Sequence, residues 1–218
     1  MEEREGSPRS LVFSYLTLRK AIGWMAISFP LVLIFGGLLL FRTGIQGSIS
    51  GYYHTGMRDV FVGILFAIGF FLLSYRGYTP VDDIAGDLAC VFVICVALFP
   101  TSPGFNASAI AHTIGYIHLA FAALFFLTII YFSLFLFTKT DPNRPPTKNK
   151  LRRNKVYRAC GYTMSLCILL ILIYKVLPAG LTSPLVSLNP VFWLETIAVE
   201  AFGISWFVKG EAILKDEA

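Results

Sequence analysis

The chain is predicted to be all-α, an integral membrane bundle of six transmembrane helices with both termini cytoplasmic, and three observations predict it. Of its 218 residues 56% are hydrophobic and only 14% charged, with mean hydropathy +0.70, a usage unlike that of soluble globular domains. Six apolar segments approach the ~20 residues that a helix needs to cross a bilayer. The 18 Lys and Arg are also unevenly divided. Arg4, Arg9, Arg19, Lys20, Arg76, the run from Lys139 to Arg158, Lys209 and Lys215 fall on one set of connections, and only Arg42, Arg58 and Lys175 on the other. Short loops rich in Lys and Arg stay on the cytoplasmic side.

Residues 1–20 form a cytoplasmic N-terminus whose first ten residues are polar. Within it Leu11, Val12, Tyr15, Leu16 and Leu18 recur at helical spacing, which predicts a short interfacial helix ahead of the first span. The four-span half, 21–138, holds the segments Ala21–Phe41, Val60–Tyr75, Ile84–Pro100 and Ile110–Phe137. The first is too long and too late for a secretory leader and reads as a retained anchor. A basic cytoplasmic linker, 139–155, carries Pro142, Pro145 and Pro146 among its cations. The two-span half, 156–208, holds Val156–Pro178 and Val191–Val208, and 209–218 is a cytoplasmic tail. All spans are expected to be helical, because backbone amides cannot go unpaired in lipid. Trp24 and Trp206 fall near the inner interface and Trp193 near the outer one, where amphipathic rings settle.

Net charge +5 and a pI of 9.1 would suit nucleic acid if the charge were spread over a soluble surface. Here it lies beside the spans, which points to topology and to anionic lipid headgroups at the inner linker, and to no nucleic acid. Cys90, Cys95, Cys160 and Cys167 all fall within spans and form no CxxC pair, so they read as small apolar packers.

The polar chemistry gathers on the outer side. The first outer loop, 42–59, places Ser48, Ser50, Tyr52, Tyr53, His54, Arg58 and Asp59 among several glycines. Those glycines let the loop fold back toward the bundle, and tyrosines can bury their rings while their hydroxyls find partners. An ordinary interfacial loop, with Asp59 favouring the start of the second span, is the alternative. In the last span Glu195 lies about one turn from the outer end, in reach of Arg58 or His118, while Glu200 lies about 140° around the helix from it. Ionisable groups in spans face the bundle interior, a cavity or a partner. Asp87 lies about 20 Å along the third span from Pro100 and belongs to the inner end. Lys175 is expected to snorkel.

His54, His112 and His118 are the three histidines, and three imidazoles with a water are the ligand set of a catalytic zinc. The sequence establishes no cofactor. Six residues turn an α-helix by about 240°, so a shared metal would need His112 to precede the helix that carries His118.

The run Ser48-Ile-Ser50-Gly-Tyr52-Tyr53 with Arg58-Asp59-Val60-Phe61-Val62-Gly63, and later Phe99-Pro100-Thr101, Ile117-His118 and Trp193-Leu194-Glu195, resembles an uncharacterised family of bacterial six-span membrane proteins. That resemblance implies six spans and no particular activity. The Ser50-to-His54 spacing is also similar to the SxxxH of the superfamily of alkaline ceramidases and adiponectin receptors. It would imply zinc-dependent hydrolysis of lipid amides or esters.

Three functional readings follow. In one, Ser48, Ser50, Tyr52, Tyr53, Arg58 and Asp59 join His118 and Glu195 as an outer pocket for a small molecule or lipid headgroup. In another, His54, His112 and His118 hold a hydrolytic zinc. In the last, the chain is a structural or assembly protein whose basic linker docks a partner. Each places it in the plasma membrane, the inner membrane in a bacterium.

Overall fold

The computed structural model describes residues 8–77, 79–104, 106–140 and 145–215, with side chains from Tyr15 onward. Arg4, Pro142 and Arg144 lie outside the described residues, as does the side chain of Arg9. The described chain is helical, without strands.

Helix α1 runs unbroken from Pro8 to Phe41 with Pro30 in its interior. The predicted interfacial helix and the first span are therefore one rod. A 3-10 turn, Ile49–His54, interrupts the following loop before α2, Arg58–Leu73. Helix α3, Pro80–Leu98, starts with proline in its first turn and a Thr79–Asp82 capping box, which satisfies orphan amides at both partners. Helix α4, Ala109–Tyr131, is capped by Ser108 and passes into a π-helical turn, Phe132–Leu136. Helix α5, Lys148–Val176, is capped by Thr147. The basic stretch read as a linker is therefore helical from Lys148 onward, because Thr147 offers a side-chain acceptor immediately past the prolines. A short α6, Ala179–Thr182, and a 3-10 turn, Ser183–Leu188, lead to α7, Pro190–Lys209.

Helices α2, α3 and α4 pack mainly on their chain neighbours, whereas α1 and α5 pack most extensively on α7, which closes the circuit between them. The α1–α7 crossing is close because both helices present glycine there. A Cβ on Gly203 would lie 3.0 Å from the Gly23 carbonyl oxygen, and one on Gly23 2.9 Å from the Phe207 backbone nitrogen. Small residues that let backbones approach are a common device of helix pairs in lipid.

The two ends of the bundle differ. At one end, the loop end, His54 bonds Thr101 and Ile49 bonds Glu195, so the connections α1–α2 and α3–α4 meet the start of α7. At the other, the terminal end, the Tyr15 hydroxyl bonds the Arg76 backbone at 2.6 Å, Lys139 pairs with Asp82, and Arg153 donates to the Leu214 carbonyl at 2.8 Å. The start of α1, the α2–α3 and α4–α5 connections and the tail after α7 therefore share that end. Asp87 belongs there too, paired with Arg76 at 3.4 Å.

Trp206 departs from the interfacial position read from the sequence. It is 1% exposed and lies among Tyr75, Phe132, Phe137 and Phe202, with ring centroids 5.2–6.2 Å apart. Edge-on contacts with several rings draw the indole inward. Trp24 and Trp193 remain exposed. The four cysteines are free, three of them buried, as small packers should be.

Among the described residues four stretches are long and apolar enough to cross a membrane: Tyr15–Phe41, Ala109–Leu136, Lys148–Val176 and Pro190–Lys209. Helix α2 has 16 residues, or about 24 Å at 1.5 Å per residue. Helix α3 carries Asp82, Asp83 and Asp87 in its first half. Large apolar side chains face outward around the bundle, among them Leu40, Phe70, Val91, Leu127, Leu172 and Ile197. Replacing Gly203 with leucine should force α1 and α7 apart and lower the melting temperature in detergent, with Gly203→Ala the milder of the two. An unchanged melting temperature in Gly203→Leu would show that the crossing tolerates separation.

Candidate functional site

The site begins with a carboxylate that needs donors. Glu195 sits in the second turn of α7, and its Oε2 accepts the Ile49 amide at 2.6 Å, with the Ser50 amide beside it. Those amides open the 3-10 turn and have no partner within it, so Glu195 caps the turn from another helix. Ser48 caps it locally, its hydroxyl accepting the Gly51 amide at 3.0 Å. The first loop is thus drawn into the bundle: Ile49, Tyr52 and Met57 are buried, and the Tyr52 ring packs 6.2 Å from Phe192.

The three histidines share one partner, the segment between α3 and α4. His54 donates from Nε2 to the Thr101 carbonyl at 2.8 Å. His118, 2% exposed, donates from Nδ1 to the Phe99 carbonyl at 2.6 Å. His112 shares a hydrogen bond of 3.2 Å between its Nδ1 and the Ser102 hydroxyl. Helix α4 starts before His112, so His112 and His118 do point to different sides of it. Both reach the segment because it runs against the helix at Gly115, where a Cβ would lie 2.8 Å from the Ser102 amide nitrogen. In a neutral ring one nitrogen donates and the other accepts. His118 therefore keeps Nε2, and His54 keeps Nδ1, as an acceptor. Among the described residues no three His, Cys, Asp or Glu side chains are grouped to hold a metal ion.

These elements enclose a chamber of about 500 Å³ at the loop end. Ser48, Ser50, His54, His112, His118 and Glu195 line it, and Lys175 joins them from α5. The volume is that of a small-ligand site. Among the predicted pocket residues, Ser48, Ser50, His118 and Glu195 meet here. Tyr52, Tyr53, Arg58 and Asp59 do not line it. Tyr52 is wholly buried, and burial pushes its phenol above its ordinary pKa. Arg58 lies over the Tyr53 ring at 4.6 Å and donates to its hydroxyl at 2.9 Å, so this pair closes on itself at the surface. Asp59 stands exposed in the first turn of α2, where a negative charge meets the positive helix end.

Sequence reading missed Thr101 and Ser102, which anchor two of the imidazoles, and the role of Lys175. The flanking Pro100 and Pro103 were the available signal, since they hold the segment out of helix and leave its carbonyls open to side chains. A second, smaller cavity lies deeper in the bundle. Phe29, Phe61, Leu65, Val93 and Phe125 line it, and Ser50, Ala122 and Glu195 are common to both cavities.

Removing the Glu195 carboxylate as Glu195→Ala should strand the Ile49 amide and cost about 1–3 kcal/mol. Glu195→Gln keeps an acceptor oxygen and should recover most of that loss. Thermal unfolding in detergent measures both, and equal melting temperatures for Glu195→Ala and the unsubstituted protein would show that the cap contributes nothing. Comparison of the chain with protein-family models, with curated proteins and with solved structures yields no match.

Proposed function

We propose that this chain is a multi-pass integral membrane protein that crosses the bilayer six times with both termini in the cytoplasm, and that its outward-facing chamber binds a small polar molecule or a lipid headgroup. The observation that carries the reading is the convergence of Ser48, Ser50, His118 and Glu195 on one chamber from three separate parts of the chain. The membrane setting rests on the apolar surface. Large hydrophobic side chains are exposed on α2 and α3 as well as on the four longer spans, and a soluble monomer rarely shows apolar patches beyond a few hundred Å². A short α2 fits a bilayer that thins locally or a span with little tilt.

Orientation follows from charge. The terminal end collects Arg19, Lys20, Lys139, Lys150, Arg153 and Lys209, while the loop end has Arg42, Arg58 and Lys175. The basic end then faces the cytoplasm and its anionic headgroups.

Two measurements test the reading. With the native cysteines replaced, a membrane-impermeant maleimide applied to intact cells should modify Ser48→Cys and reach Arg152→Cys only after permeabilisation. The reverse pattern would invert the topology. In detergent, saturating glycerol phosphate should raise the melting temperature by about 2–4 °C. The rise should vanish in Lys175→Glu and persist in Arg58→Glu, whose side chain lies on Tyr53 away from the chamber. No rise with the unsubstituted protein would count against headgroup binding.

A further inference from the structure

We infer that the ligand of this chamber is a single-chain amphiphile with an anionic head, its tail descending from the chamber into the apolar crevice beneath it. The inference rests on the chamber being a binding site and adds the chemistry of what it binds. Its geometric basis is the junction. The chamber and the crevice share Ser50, Ala122 and Glu195 in their walls, so the two cavities adjoin at those residues.

The two compartments differ sharply in chemistry. Above the junction stand Lys175, the three imidazoles and the Ser48 hydroxyl. Below it the walls are Phe29 from α1, Phe61 and Leu65 from α2, Val93 from α3, Phe125 from α4 and Val199 from α7. Phe29, Phe61, Leu65, Val93 and Phe125 are buried, so the crevice is walled by core side chains rather than by the apolar side chains turned outward. Such a wall offers a ligand apolar contact and few polar partners, which suits a hydrocarbon tail.

The charge of the head follows from what the chamber has left to offer. Glu195, the one carboxylate among the lining residues, is occupied by the Ile49 amide, with the Ser50 amide and the Lys175 charge nearby. Lys175 is exposed at the chamber wall and supplies an ammonium. The imidazoles add nitrogens that accept when neutral and donate when protonated. An anionic oxygen group, as in a phosphate ester or a carboxylate, is the complement of that set. Ala122, common to both walls, carries only a methyl group, and the crevice volume of about 60 Å³ admits only the first few methylenes of a tail.

The test is a chain-length series of alkyl phosphates, from ethyl to octyl, with inorganic phosphate as the head alone. Binding is read by thermal shift on the full chain and on Ala122→Leu in the same detergent, so that partition into micelles cancels in the ratio. Affinity of the unsubstituted protein should rise roughly fourfold per methylene until the crevice is full, then level off. Ala122→Leu should lose the dependence on length. Val199→Phe, which fills the crevice from α7 and does not line the chamber, should bind inorganic phosphate unchanged and lose the dependence on length as well. Phosphate binding without any length dependence would overturn the amphiphile and leave the chamber reading standing, whereas no phosphate binding would remove both. Equal affinity for an octyltrimethylammonium ion would overturn the anionic head.

Discussion

A carboxylate set among apolar side chains must find hydrogen-bond donors or give up its place, and Glu195 finds them in the backbone of a loop almost 150 positions earlier in the chain. The bond works in both directions. It relieves the carboxylate, and it satisfies amides at the head of a 3-10 turn that would otherwise need water. With it in place the first loop is no longer a surface connection. Ile49, Tyr52 and Met57 become core residues, and of the polar side chains between them Ser50 and His54 are brought to the chamber wall. Without it there is no floor under the chamber.

The second constraint acts on the opposite wall. Three histidines from two different elements spend a ring nitrogen each on the same short segment between α3 and α4. Gly115 lets that segment lie against α4, and the flanking prolines leave its carbonyls and hydroxyl available. The imidazoles therefore act first as braces. Their remaining nitrogens are oriented by that bracing, in the way an outer hydrogen bond fixes the tautomer of a working histidine. The terminal end is built from different materials. Aromatic rings around Trp206, the Lys139–Asp82 pair and the Arg19 guanidinium over the Tyr15 ring hold it together. One end is thus a packed, charged base and the other a hollow, hydrogen-bonded cap.

Much of this was legible in the sequence where a local rule applied. The starts of α4 and α7, at Ala109 and Pro190, fall one residue from the apolar segments read from Ile110 and Val191, whereas α3 starts at Pro80, four residues ahead of the segment read from Ile84, because Thr79 and Pro80 serve its first turn. Asp87 could be kept from the loop-end cluster by rise per residue alone. The rule failed for Trp206, because an interfacial preference is an average over environments and this indole has an aromatic nest to enter. It failed for Arg58 and Tyr53 as well. Two residues five apart can pair with one another as readily as with a ligand, and only their relative placement shows that they do.

Composition and hydropathy determined the class of the molecule, helical with several stretches apolar enough to cross a membrane, because hydropathy acts residue by residue and needs no partner. Which polar groups meet was decided by tertiary structure. The Glu195–Ile49 bond, the convergence of three histidines on residues 99–102 and the shared wall at Ala122 join positions far apart in the chain. Distances of that kind depend on how helices cross and how loops return, and no local pattern encodes them.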